Sequence, residues 1–501
     1  MESLSETDWD VVISGTGLQQ SILALALSRS DKKIIHVDAE GCYGGSEAAF
    51  TLREADEWAE KHANGSPDAV FSAAEVTRSG ELTSTRAYSL ALAPQLIHAR
   101  SDLLTKLVSS KAFRQIEFLA VGSFYIYQQS SDAAVPPTLS RIPSTREDVF
   151  SNTAIPVRAK RSLMKFLKFV LDYQAEPQIE LWQARADEPL DSFLASEFKL
   201  DESLRSYVIT LTLSLDGSIS VRDGLAAISR HLSSMGVFGA GFAAVYPKWG
   251  GLSEVAQVGC RACAVGGAVY MLGTGIKDVQ RVADAGADSP SLQISLSDDN
   301  TIRAKSLFKG AESASDGNLK LSRLTAVVGA PLPSVFEVVV EGAPTPSVGV
   351  VAFPAGSIPS EGVASEFPIY AMVHSSDAGE CPNGQCVVYL STVAGPASKS
   401  LLSSALSSLL TATAGDAEPA TVLYQLYYEQ RGAKAASLDT EGGNVATFGL
   451  PLLDLAFNDS TLDPVRQAWD MAMGQEANAE GVEYLVFDDR EGVVDDDDVF
   501  D

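Results

Sequence analysis

Long apolar runs are missing from this sequence. None approaches the roughly 18 uninterrupted apolar residues of a membrane-spanning helix, and the opening MESLSETDWD lacks the basic-then-apolar order of a secretory signal, so a cytoplasmic protein is expected. Basic residues are scarce as well: 37 Lys and Arg face 65 Asp and Glu, for a net charge of -28. That balance repels phosphate backbones over most of the surface and excludes nucleic acid as an expected partner. Cysteine is rare. Five in a chain of 501 residues, an odd number, do not make a disulfide framework, so Cys42, Cys260, Cys263, Cys381 and Cys386 are expected to be free thiols. The histidines, His36, His62, His98, His231 and His374, lie far apart with no Ser/His/Asp or HExxH arrangement, and nothing in them argues for catalysis.

What is present is a globular chain, 46% hydrophobic, long enough for two or more packed units. It opens with "VVISGTGLQQ": an apolar strand, a glycine turn, a helix over Ser21 to Ser28 and a second strand, Lys33 to Asp38, which together make one βαβ unit and imply a parallel sheet. A polar stretch runs to Gly80. Beyond it come a helical pattern at Leu96, Leu103 and Leu107 and a strand over Glu117 to Tyr127. Leu163, Phe166, Leu167, Val170 and Leu171 then follow one helical face, and Leu204, Tyr207, Val208, Leu211 and Leu215 repeat that spacing after the acidic pair Asp201-Glu202.

From Pro247 the α/β character returns, with a helix-to-strand passage over Gly259 to Leu272. Strands are expected over Phe336 to Val340, Gly349 to Phe353, Ile369 to His374 and Cys386 to Ser391, the last two joined by a loop containing Pro382-Asn383-Gly384. Residues 281 to 320 read as a long loop. A helix is marked by Leu402, Ala405, Leu406 and Leu409, and the acidic end reads as a solvated tail. The expected organisation is a multi-domain α/β (α+β) protein: a discontinuous α/β domain over residues 1–115 and 222–485, a smaller helical domain over 116–221, and a tail over 486–501.

The glycine turn carries the main chemical question. In a dinucleotide site the first two glycines shape the turn and admit the pyrophosphate, the third lets the helix pack closely, and an acid about 20 residues on binds a ribose hydroxyl. Gly15, Gly17 and Asp38 fit that pattern, whereas Gln20 replaces the third glycine. Either FAD binds here, or the glycines merely turn a strand into a helix and Asp38 caps the next segment. Gln20 favours the second, so no FAD is expected. Cys260-x-x-Cys263 and Cys381-x4-Cys386 offer four thiolates to a zinc ion in principle, but the second spacing is loose and the pairs are distant, which favours buried thiols and no metal.

The segment "DWDVVISGTGLQQSILALALSRSDKKIIHVDAEGCYGG" resembles the amino-terminal signature of the GDI/Rab escort protein superfamily. The resemblance continues through "LAPQLIHARSDLLTKLVSSKAFRQIEFLAVGSFYIY", "IPSTREDVF", "KRSLMKFLKFVLDY", "VRDGLAAISRHLSSMG" and "GCRACAVGGAVYMLG", and more loosely through "CVVYLS", "LYQLYYEQRG" and "PVRQAWDMA". "CRACAV" is similar to the escort branch. The resemblance implies an FAD-oxidoreductase-like (GDI-like) fold without flavin and a non-catalytic accessory role. In that role the chain would bind GDP-bound Rab GTPases, present them to the α/β heterodimer of Rab geranylgeranyltransferase, and deliver the geranylgeranylated product in a transient membrane encounter. A GDP-dissociation inhibitor that recycles prenylated Rabs is the alternative, and an FAD-dependent oxidoreductase a second one.

Carried over by the same resemblance, a Rab-binding platform falls on Tyr43, Glu254, Arg261 and Met271. A prenyl pocket falls in the helical domain, with Leu163, Phe166, Leu167, Val170, Val208 and Leu211 as its candidate walls. The chain departs from the family pattern in the loop "YPKWGGLSE", one residue longer, and at Gly266, which stands in place of an aromatic.

Overall fold

The computed structural model describes residues 4–489 apart from 67–68, 130–135, 144–148, 150–155, 283–290, 312, 314–318, 361 and 416. The βαβ opening consists of β1 (Asp8–Ser14), α1 (Leu18–Leu27) and β2 (Ile34–Asp38). Val11, Val12, Ile13 and every residue of β2 are buried, because this parallel sheet is covered on both faces. The helix starts at Leu18, earlier than the sequence pattern suggested, since Gly17 already serves as its cap residue.

Among the described residues eight strands form this first sheet, with β2 between β1 and the edge strand Val269–Leu272. On the other side of β1 lies Thr301–Gly310, parallel to it from Asp8↔Arg303 to Ser14↔Lys309. The expected loop over 281 to 320 is therefore corrected: it contains this central strand and the strand Leu292–Leu296 beside it. Its basic residues hide it in sequence. Arg303 pairs with Asp8 at 2.7 Å and Lys305 with Asp10 at 3.0 Å, while Ile302, Ala304, Leu307 and Phe308 are fully buried.

A second sheet, of ten strands among the described residues and mostly antiparallel, has an apolar core on each face. The helix Ser398–Ala414 covers one of them with Leu402, Ala405, Leu406 and Leu409. The hairpin Ile369–Ser375 and Cys386–Val393 pairs antiparallel as the sequence suggested. Phe336 to Val340 is not a strand: a 3-10 turn over Pro333–Val335 buries Val335 against Gly349, leaving the following residues irregular.

The helical layer has its own core. Val157–Leu171, Leu190–Phe198, Glu202–Leu211 and Val221–Ser234 close around Phe166, Phe193 and Phe198. Asp201 starts one helix by accepting from Leu204 N at 3.0 Å, and Ser220 starts another by accepting from Asp223 N at 3.1 Å. The expected helical boundaries of 116 and 221 shift at both ends. Phe118–Gln128 is a strand of the ten-stranded sheet, while Val221–Ser234 belongs to the helical core. Leu96 lies outside the helix Asp102–Ser109, and Leu215 lies past a helix that ends at Leu211, where Leu213 turns to a positive φ of 55°.

The polar stretch before Gly80 holds a helix, Leu52–His62, and a strand, Phe71–Arg78. Residues 486–489, expected as tail, are tied down: Phe487 N donates to Ser109 O at 3.0 Å and Arg114 bonds Asp489 at 2.7 Å. The rest of that tail, 490–501, lies outside the described residues. Among the described residues, no helix is long and apolar enough to cross a membrane.

Candidate functional site

The glycine turn sits where β1 meets α1, and Gly15 adopts φ +89°, a conformation that favours glycine. Asp38, at the end of β2, faces it. One Asp38 oxygen accepts from Thr16 N at 2.7 Å and Thr16 Oγ1 at 2.6 Å, and the other accepts from Glu40 N at 2.9 Å. Burial raises its carboxyl above the usual range while these bonds oppose the shift. The acid of the motif is thus occupied by the chain itself.

His36 braces the turn from below. Its Nε2 lies 2.6 Å from Gly15 O and its Nδ1 3.1 Å from the Tyr270 hydroxyl. A carbonyl can only accept, so Nε2 carries the proton and Nδ1 accepts from Tyr270. Burial holds His36 down at about 4, which keeps the ring neutral.

After β2 the chain returns over the turn. Gly44 N donates to Thr16 O at 3.2 Å and to Thr16 Oγ1 at 3.1 Å, and Gly45 packs on Gly17. This places Tyr43 at the surface, half-buried, with its ring 6.5 Å from that of Tyr270. Burial is the main cause that raises its hydroxyl.

The helix Leu252–Val265 lies beside this loop and crosses α1 at close range. A Cβ at Gly259 would run into the Ser21 carbonyl, and one at Gly266 into that of Ser28. Two glycines, seven residues apart, let the helices touch backbone to backbone. The helix carries Glu254, half-buried with its carboxyl raised by burial against the opposing charge of Arg261, and Arg261 itself, which is exposed. Gln257 Nε2 donates to Glu254 Oε1 at 3.3 Å.

Tyr43, Glu254 and Arg261 therefore gather around one helix. Met271 does not join them: it lies on the opposite face of the edge strand from Tyr270, partly buried against the core of the first sheet. Trp249, which the sequence reading did not single out, projects from the loop before this helix, 52% exposed and at φ +75°. Its signal was an aromatic residue followed by two glycines.

Residues 5–399 match the family described as GDP dissociation inhibitor. The chain belongs to the GDP dissociation inhibitor family. Proteins of Saccharomyces cerevisiae and Candida albicans, each named Rab proteins geranylgeranyltransferase component A, are 29% identical to this family member over 76% and 77% of its length. It spans 61% and 59% of theirs. Among solved structures, the Rab GDI of Plasmodium falciparum matches with a TM-score of 0.64 at 18% identity, covering 93% of this chain and 98% of that one. An oxidoreductase of Methanosarcina mazei matches with a TM-score of 0.57 at 12% identity over 92% of this chain and all of that one. These two likenesses establish the flavoprotein-like fold.

In this GDI-family chain two side chains crowd the turn. Gln20 spreads its amide between Gly15, Gly17 and Gly310, and Glu47 brings a carboxylate to the start of α1, where Leu18 N donates to it at 3.3 Å. The six candidate lipid-pocket residues are all buried. Leu163, Phe166, Leu167, Val170 and Val208 fill the helical core, whereas Leu211 turns toward the ten-stranded sheet.

The five cysteines are free. The two pairs do not converge on a zinc ion: Cys260 and Cys263 lie on the platform helix, while Cys381 and Cys386 belong to cores on opposite faces of the second sheet. Burial pushes the Cys260 thiol up to about 11 and that of Cys263 to about 12.

Proposed function

We propose that this chain is a Rab escort protein, a non-catalytic accessory component of Rab geranylgeranyltransferase. It binds GDP-bound Rab GTPases, presents them to the α/β heterodimer of the transferase, and carries the geranylgeranylated product to membranes from the cytosol. The observation that carries this reading is the family match over residues 5–399, together with the likeness to relatives named Rab proteins geranylgeranyltransferase component A.

The platform supplies the chemistry. Tyr43 and Arg261 are residue types that concentrate interface energy, and the Glu254 and Arg261 charges pair with opposite charges on a partner, while Met271, on the other face of its strand, takes no part. A surface that contacts the switch segments of a GTPase binds its two nucleotide states unequally, so selection of the GDP form needs no catalytic group. Burying the prenyl chain contributes ~0.8 kcal/mol per methylene, enough for a partly enclosed chain to compete with a bilayer.

The deciding experiment mixes the full chain with purified transferase, unprenylated Rab in the GDP form and geranylgeranyl diphosphate. Stimulated lipid transfer is expected. Extraction of prenylated Rab from membranes with no stimulation would reassign the chain as a recycling inhibitor, and equal affinity for GDP- and GTP-loaded Rab would remove the platform reading.

A further inference from the structure

The start of a helix whose N–H groups have no partner within the helix attracts negative charge, and in dinucleotide folds a pyrophosphate takes that place. In this protein the place is taken from within. Chain leaving β2 runs through Tyr43, turns at Gly44 and Gly45, and brings Glu47 back so that its Oε2 accepts from Leu18 N, the first residue of α1, at 3.3 Å. The same oxygen lies 3.9 Å from where a Cβ on Gly17 would project. A cavity of about 390 Å³ opens between the turn, Trp58, Phe71 and Leu452, with Glu47 among the residues that line it.

We propose that Glu47 is a built-in anion occupying the pyrophosphate position on α1, and that in doing so it pins down the loop that carries Tyr43. The old cofactor position thus becomes a strut for a surface loop. Three further contacts fit this assignment. Gly44 N bonds Thr16 twice, Gly45 packs on the Gly17 backbone, and Gln20 fills the adjacent space over both turn glycines. Burial lifts the Glu47 carboxyl to about 7 and the bond from Leu18 N opposes that shift without cancelling it, so the anion is fully formed only above neutral pH. The consequence for partner binding rests on the proposed function, whereas the strut itself does not.

The test uses the full chain and two variants, Glu47→Ala and Glu47→Gln, at pH 8, where the carboxylate is formed. Hydrogen exchange of residues 41–47 is expected to quicken about 10-fold in Glu47→Ala, and sodium acetate is expected to reverse this where sodium chloride of the same ionic strength does not. Glu47→Gln keeps an acceptor without the charge and should fall between wild type and Glu47→Ala; it supplies the same measurement if the alanine variant fails to fold. Unchanged exchange in these residues, or equal effects of acetate and chloride, overturns the assignment. So does FAD binding to the wild-type chain at micromolar concentration.

A second arm measures affinity for a GDP-loaded Rab. Glu47→Ala should weaken it about 5-fold, and in a Tyr43→Ala background it should add almost nothing, since both changes remove the same contact. If wild type binds no Rab, the proposed function fails while the exchange result still decides the strut.

Discussion

The Tyr246 hydroxyl donates to one oxygen of the Glu380 carboxylate at 2.8 Å, in a place fully closed to water. The other Glu380 oxygen accepts from Tyr389 at 2.9 Å and lies 2.8 Å from His374 Nδ1. Burial and the Glu380 charge raise both tyrosines well above their ordinary value, so each remains a donor. The cluster joins the turn after Ile369–Ser375 to the strand Ala244–Pro247, and Trp249 N reaches the same turn at Ala378 O, 3.0 Å away. It therefore braces the loop that leads into the platform helix.

Glu380→Ala should destabilise the protein by about 3 kcal/mol, because buried donors left without an acceptor cost roughly 1–3 kcal/mol each. Tyr246→Phe, which removes only one bond, should cost about 1 kcal/mol. Urea denaturation of the two variants checks the order; equal losses would mean that the carboxylate is not the hub.

Gly259→Ala should cost about 1–3 kcal/mol by overpacking, and Gly266→Ala a similar amount, because in each case the new methyl meets the backbone of α1 and no side chain can yield. Helix propensity alone favours alanine over glycine. Thermal unfolding thus separates the two effects by sign.

Acid should destabilise the fold through its buried histidines. Burial holds His36 and His231 at about 4, and burial, with His231 and Arg230 nearby, holds His98 well below its ordinary value. No hydrogen-bond partner for the His98 or His231 ring nitrogens occurs among the described residues. Since the unfolded chain takes up these protons near 6.5, the stabilisation is complete above that pH and is lost as pH falls from 6.5 toward 4. Each histidine contributes a slope of up to ~1.4 kcal/mol per pH unit in that window. Stability measured across it should flatten by the corresponding amount in His231→Phe, which keeps the ring packing against Phe124.

Tyr43→Ala or Arg261→Ala should weaken binding of GDP-loaded Rab by ~2 kcal/mol, roughly 30-fold. Arg261 is exposed, so its substitution should leave the unfolding midpoint unchanged. Titration with fluorescent-nucleotide-loaded Rab measures the first effect and a thermal scan the second.

Much of this architecture is written locally. The β1–α1–β2 unit, the helical face at Leu163, Phe166, Leu167 and Val170, and the hairpin around Pro382-Asn383-Gly384 follow from periodicity and turn residues within short windows. Thr301–Gly310 does not, because its Arg303 and Lys305 make sense only beside Asp8 and Asp10, nearly 300 residues earlier. The helix Leu52–His62 had a readable start in the capping box of Thr51 and Glu54, yet only Leu52, Ala55 and Ala59 are buried on a mostly charged helix.

At the site, Gly15, Gly17 and Asp38 were legible as a turn, and Gln20 stood out as the departure from the glycine pattern. The role of Glu47 was not, since nothing in "YGGSEAAF" says which amide the carboxylate will meet once the chain doubles back. Met271 illustrates the opposite limit. A motif fixes its position along the edge strand, but the alternation of the strand turns it away from Tyr43.

The bonds of Asp38 limit what a protein engineer could graft onto this scaffold. Its Oδ2 already accepts twice from Thr16 and its Oδ1 once from Glu40 N, so a glycine at position 20 would clear space yet offer a sugar hydroxyl only the remaining lone pair of Oδ1. A firmer grip on such a hydroxyl would take a rewired loop after β2 as well as a smaller residue in α1.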